Sequence, residues 1–409
     1  MVLSALILII LIYILIKHYE YGVILIVSLH IWFNLFAVAG SNILTYATIF
    51  ATILFLKDRK YKFTLKKMPA SSSLVFISIS YCLTGFFAES PNILPAILNS
   101  IRESLMLIVF YHVFIRNKGV LSVFFIKSSM VFVFAFVFMT IVEFITGENQ
   151  YIKFINSIGA YRVDTYIDSL RYGFKRCQSL FSMHTTLGGA ALLTCTPIGW
   201  YYYTKNKHVL TILICISCAI LCAYASGTRS TIIGCIVAVF AFFNKKHITL
   251  KRILPCLLLI FILYVNLNEV INTVIDSIIN NDSIGGSNED MRMNQLLISL
   301  HYLNKNFILG NGVYAWTDIA QKTDLYGAES IWFGLMIDRG FIGLLSLVLF
   351  NLQLFYYIYI NKMPQIAFFL LAFLITASLT SLPNIIYTYI YAPIIIMISL
   401  GHEINQNKI

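Results

Sequence analysis

Eight of the chain's 18 acidic residues fall between Glu269 and Glu329, on a polar stretch that ends where an apolar run resumes at Ser330. Carboxylates collected at the edge of an apolar medium are groups that partial loss of water can turn into proton acceptors near neutral pH. A second concentration is basic: residues 147–179 hold Lys153, Arg162, Arg171, Lys175 and Arg176 against Glu148, Asp164 and Asp168. Guanidinium forms planar, two-pronged hydrogen bonds to phosphate, so this stretch suits an anion. A plainer reading leaves the same arginines on lipid headgroups, or paired with Asp164 and Asp168.

The elements that must position these groups are apolar helices. The chain is 59% hydrophobic and 11% charged, with a mean hydropathy of +0.81. Its apolar runs repeat at the lengths, roughly 17 to 25 residues, that cross a bilayer. The pattern predicts an all-α polytopic integral membrane protein, with residues 1–409 as a single membrane domain. Spans are expected at 2–16, 21–38, 42–56, 71–88, 93–115, 119–146, 180–203, 209–225, 230–243, 253–268, 330–360, 365–380 and 384–400. That makes a bundle of about 12 to 13 transmembrane helices. The first run has no basic region before it and no small-residue cleavage site after it, which reads as a retained helix.

Charge orients the bundle. The connection carrying Lys57, Arg59, Lys60, Lys62, Lys66 and Lys67 holds one acid, Asp58, and is cytoplasmic by the positive-inside rule. Alternation puts Arg116 with Lys118, Lys205 with Lys207, Lys245 to Arg252, and Lys362 on the same side. The two longer loops, about 147–179 and 269–329, then face outward with the short turn Ser226–Ser230, and form the expected active-site face. The net charge of +11 is accounted for as an orientation signal, with no nucleic-acid partner implied.

Several chemistries are excluded. Seven of the eight cysteines lie in or beside apolar spans, so no disulfide framework is legible. Cys215, Cys218 and Cys222 share a helix face without histidine or carboxylate nearby, which reads as packing; no metal and no cofactor are expected. No GxxxxGK[ST], HExxH, GxSxG or paired-aspartate motif occurs. Any reaction must draw its energy from the substrate, or from an ion gradient if the protein is a transporter.

Three patches resemble the O-antigen polymerase and O-antigen ligase superfamily. They are Arg176-Cys-Gln-Ser-Leu-Phe-Ser-Met-His-Thr-Thr-Leu-Gly-Gly189, then Ala225-Ser-Gly-Thr-Arg-Ser-Thr-Ile-Ile-Gly234. The third is Arg292 with Phe307-Ile-Leu-Gly-Asn-Gly312 and Glu329-Ser330 through Gly340-Phe-Ile-Gly343. Ligases of the superfamily usually carry His-Asn where this chain has Glu329-Ser330. That departure favours the polymerase branch, and His184 in the first patch is not assumed to replace the missing histidine.

The resemblance implies a polymerase that moves glycan from a polyprenyl pyrophosphate carrier to a sugar hydroxyl on the outer face of a bacterial inner membrane. It implies Arg176, Arg229, Arg292 and Arg171 as pyrophosphate ligands, with a flippase and a chain-length regulator as partner proteins besides the lipid-linked oligosaccharide and the bilayer. Tyr314, Trp316, Tyr326 and Trp332 offer flat faces to sugar rings, or anchor the bilayer interface. Glu329 reads either as a general base or as a helix N-terminal carboxylate favoured by the dipole. Arg102 and Glu103 sit inside an apolar span, where a charge needs protein or water; Lys127 and Glu143 are candidate partners. The alternatives are a ligase of the same superfamily and a lipid-linked oligosaccharide flippase or transporter. The absence of an internal repeat counts against a flippase.

Overall fold

The computed structural model describes residues 2–32, 37–38, 41–58, 65, 68–157, 170–171, 174–181, 183–205, 209–242, 289–322, 330–380 and 386–406. The expected span 253–268 lies outside these residues, as do Arg59, Lys60, Lys62, Lys66, Lys67 and Lys245 to Arg252. In the first half the helices are α1 (Val2–Lys17), α2 (Tyr19–Trp32), α3 (Ile43–Lys57), α4 (Ser71–Phe87), α5 (Ile93–Phe114), α6 (Lys118–Thr146) and α7 (Gln150–Ser157). They continue as α8 (His184–Thr204), α9 (Val209–Ala225), α10 (Arg229–Phe240), α11 (Glu289–Lys305), α12 (Ala315–Lys322), α13 (Ile331–Ile360), α14 (Pro364–Ser378) and α15 (Ile386–Gln406). There are two minimal antiparallel pairs among the described residues, β1 (Ala37–Val38) with β2 (Ser41–Asn42) and β3 (Leu170–Arg171) with β4 (Phe174–Lys175).

Among the described residues, three helices are long and apolar enough to cross a membrane: α5, α6 and α13. Eight further apolar stretches run 10–17 residues. At 1.5 Å per residue a 17-residue helix reaches about 25 Å, short of the ~30 Å hydrocarbon core.

Apolar side chains face outward. On α6, Val131, Phe134, Phe138 and Ile145 are exposed, while Ser122, Ser129, Thr140 and Glu143 are buried. Such an arrangement suits a medium as apolar as the side chains themselves, where helices are held by packing and polar contacts. Within the bundle α8 packs on α9, α6 and α15, α10 on α14, and α13 on α4 and α11. Buried polar tips find partners: Trp200 Nε1 donates to Met397 O at 2.8 Å, and Tyr391 OH to Pro69 O at 3.0 Å.

Three expectations are revised. The second span is described as the helix Tyr19–Trp32, and Ala37–Val38, expected within it, belong to a β-pair. The 180–203 span begins at His184, because Gln178–Phe181 form a turn closed by Phe181 N donating to Gln178 O at 3.0 Å. The two long loops, 147–179 and 269–329, carry helices of their own, α7 in the first and α11 and α12 in the second.

Two local breaks bear on the site. Residues Ile101–Leu105 of α5 are π-helical and contain Arg102 and Glu103; one-turn π segments concentrate at functional positions. Helix α13 is broken at Gly340 (φ 58°, ψ −147°), directly after Asp338 and Arg339.

Candidate active site

The first two sequence patches fold into one unit. Cys177 N donates to Ala225 O at 2.8 Å, and Arg176 Nε donates to Ser226 O at 2.8 Å. The Ser226–Thr228 turn is closed by a 2.7 Å hydrogen bond between the two hydroxyls and by Thr228 N donating to Ala223 O at 3.0 Å. Arg229 follows as the first residue of α10 and is half-buried. Burial pushes the Cys177 thiol up to about 12, as for a packing thiol in the apolar core.

A carboxylate holds the 178–179 turn that follows Arg176 and Cys177. Glu143, buried near the end of α6, accepts from Gln178 N at 3.0 and 3.1 Å, Ser179 N at 2.6 Å and Asn149 Nδ2 at 2.9 Å. Ser179 holds a left-handed φ of 54°, which a non-glycine residue keeps only when its surroundings fix it. Glu143 is therefore not the partner of Arg102 or Glu103. Arg102 donates to Asn99 Oδ1 at 3.0 Å, Glu103 accepts from Tyr387 N at 3.2 Å, and Lys127 is exposed.

The third patch reaches the same place through the end of α14. The Ser230 and Thr380 hydroxyls are hydrogen-bonded, and Thr376 Oγ1 donates to Ser230 O at 3.5 Å. Arg292, exposed in the first turn of α11, donates to Leu379 O at 3.4 Å. Trp332 Nε1 donates to Ser378 Oγ at 2.9 Å, while Ser330 caps α13. Arg176, Arg229, Arg292 and Trp332 are thus collected on two short hydroxyl-bearing segments, 226–230 and 378–380. Glu329 and Tyr326 lie outside the described residues, as does Asp324; Glu329 directly precedes the capping Ser330.

The aromatic group does not stay together. Tyr314 and Trp316 belong with Asp338, whose carboxylate accepts from Tyr314 N at 3.2 Å and Trp316 N at 2.8 Å. Tyr314 OH donates to Asn99 Oδ1 at 3.0 Å. Trp332 and Asp338 are six residues apart on one helix, about 9 Å along its axis, so α13 connects the aromatic and arginine groups.

Other expected residues stand apart. Arg171 pairs with Phe174 in β3–β4. Lys153 forms an exposed ion pair with Glu148 at 2.6 Å, which holds that carboxyl below its usual range. His184 opens α8. Among the described residues no group of three or more His, Cys, Asp or Glu side chains could hold a metal ion.

Sequence reasoning missed Asn99, Asp338, Arg339 and the 376–380 hydroxyls, and it singled out Glu143 for a different role, as a candidate partner of Arg102 and Glu103. The adjacent Asp338-Arg339-Gly340 inside the 330–360 apolar run is a signal that could have flagged the break. No protein-family model matches the chain, and no curated protein matches it.

Proposed function

We propose that this chain polymerises lipid-linked oligosaccharide repeat units, as an O-antigen, capsule or exopolysaccharide polymerase in the inner membrane of a bacterium. The 12 to 13 spans expected from the sequence and the outward placement of the two long loops belong to this proposal. The observation that carries it is the gathering of Arg176, Arg229, Arg292 and Trp332 on segments 226–230 and 378–380.

The chemistry follows from the groups. An acceptor sugar hydroxyl attacks the anomeric carbon of the donor glycan. The bond from that carbon to the pyrophosphate oxygen breaks, and its electron pair leaves with polyprenyl pyrophosphate. Fixed guanidinium groups stabilise the charge that grows on the leaving oxygens, and a site poor in water strengthens them. Glu329 takes the hydroxyl proton. Cleavage of the activated glycosyl pyrophosphate supplies the driving force, so a flippase that delivers the substrate and a chain-length regulator are the partners the reaction needs.

Deleting the gene and sizing the surface polysaccharide tests the reading. Single-repeat products support it. Full-length polymer stranded on its carrier would identify a ligase instead, repeats trapped inside the cell would identify a flippase, and unchanged surface polymer would sink all three.

A further inference from the structure

Asp338 stands two residues before the break in α13 and holds a neighbouring segment by three hydrogen bonds. One carboxylate oxygen accepts from Tyr314 N at 3.2 Å and the other from Trp316 N at 2.8 Å, while its carbonyl accepts from Gly312 N at 3.1 Å. The first amides of a helix have no acceptor within it, and the residue ahead of α12 is a tyrosine, whose side chain cannot cap them. Asp338 supplies that acceptor from a different helix.

The segment needs holding. Tyr314 has a left-handed φ of 69°, a conformation an L side chain keeps only when surrounding structure imposes it, and one that collects at functional sites. Its hydroxyl is fixed at the far end by Asn99 Oδ1, which also accepts from Arg102 Nη2 at 3.0 Å. Trp316 lies along α13, with Cδ1 3.9 Å from where a Cβ on Gly334 would stand, and packs against Ile319 and Ile337.

The clamp is itself anchored. Arg339, the next residue, is 3% exposed and donates to Ser80 Oγ at 3.0 Å and Tyr387 OH at 3.3 Å, with its guanidinium 4.1 Å from the centre of the Tyr81 ring. Adjacent residues thus face opposite ways, one gripping the buried bundle and the other the aromatic segment.

We propose that Asp338 is a positioning residue that orients Tyr314 and Trp316 as the surface on which the acceptor glycan stacks. It sets acceptor affinity, and the bond-breaking step is left to the arginine-bearing segments, which α13 touches through Trp332 about 9 Å along its axis from Asp338. This rests on the proposed polymerase function.

The test is Asp338→Asn, which keeps the shape but offers one acceptor oxygen, in the full-length protein in detergent. Hydrogen exchange at the Tyr314 and Trp316 amides should quicken about tenfold or more, a readout that needs no turnover. With lipid-linked oligosaccharide extracted from the native cells, KM for the acceptor should rise about tenfold with kcat within about twofold. In a Tyr314→Ala, Trp316→Ala background the same change should cost almost nothing more. Unchanged exchange would remove the clamp. Faster exchange with unchanged KM, or an equal penalty in the aromatic-free background, would remove its role in acceptor binding. Absence of turnover by the wild-type protein would sink the function itself and the acceptor role with it, while faster exchange would still establish the clamp.

Discussion

Gly310 and Gly340 stand backbone against backbone: a Cβ on Gly310 would lie 2.5 Å from Gly340 N, and one on Gly340 would lie 2.6 Å from Gly310 N. Both have positive φ, 70° and 58°. The contact lets the 307–312 loop plug the break in α13. Asn311 N donates to Ile337 O at 2.8 Å and Gly312 N to Asp338 O at 3.1 Å, while Phe341 N and Ile342 N donate to Phe307 O and Ile308 O at 2.8 and 3.2 Å. An unmade backbone hydrogen bond in an apolar medium costs several kcal/mol, so an irregular stretch here survives only because another segment satisfies it.

Alanine at Gly310 or Gly340 should therefore destabilise the protein by on the order of 3 kcal/mol, from backbone strain and overlap together. Gly334→Ala is the control, because the nearest atom to its Cβ is 3.9 Å away. Thermal midpoints by fluorescence-detected size exclusion would check this; a Gly340→Ala midpoint equal to that of Gly334→Ala would contradict the packing argument.

For Arg176, Arg229 and Arg292, alanine should cost roughly 1.5 to 3 kcal/mol per lost charged hydrogen bond, and lysine should rescue poorly because it lacks the planar fork. Polymer length and in vitro rate, at matched expression, measure it. Full activity of the three lysine variants would reduce these residues to general electrostatics.

Glu329 separates on glutamine. As a general base, Glu329→Gln should slow turnover by about 10²- to 10⁴-fold, nearly as much as alanine. As a helix-dipole carboxylate it should matter by about 0.3 to 1 kcal/mol and accept aspartate. Near-normal polymerisation by the glutamine variant would pass the base role to His184, Asp318 or Asp324.

Glu143→Gln replaces an acceptor of three donors by a group that carries donors of its own. Loss of a buried partner of this kind should cost about 1 to 3 kcal/mol and loosen the turn that carries Arg176. A wild-type melting midpoint together with wild-type activity would show that the turn does not depend on this carboxylate.

Lys305 and Asn306 donate to Glu89 at 3.0 and 2.6 Å and hold its carboxyl below the ordinary 4.5. A carboxyl whose folded pKa is depressed stabilises the fold above its unfolded value and loses that contribution as pH falls through the folded one. The midpoint difference between wild type and Glu89→Gln should thus be small but full at neutral pH, and should close only as pH falls below the ordinary 4.5 and through the depressed folded value. A gap independent of pH would assign the contact to packing.

Most of the helices were legible as apolar runs, because a span is a local property of composition and length. Ile43–Lys57, Ser71–Phe87, Lys118–Thr146 and Ile331–Ile360 begin and end within about two residues of expectation. Glycines 310, 312 and 340 were visible as a pattern, but nothing local says that two of them touch. Which arginines assemble, that Trp332 leaves Tyr314 and Trp316 for Ser378, and that Glu143 serves the 178–179 turn rather than Arg102 were decided by tertiary structure alone. Each is a hydrogen bond between residues far apart in the chain, fixed by how buried polar groups share out their partners when the helices pack. The sequence by itself determined an apolar helical chain, its charged connecting segments and the residue types that could handle an anion; the packing decided which of them meet.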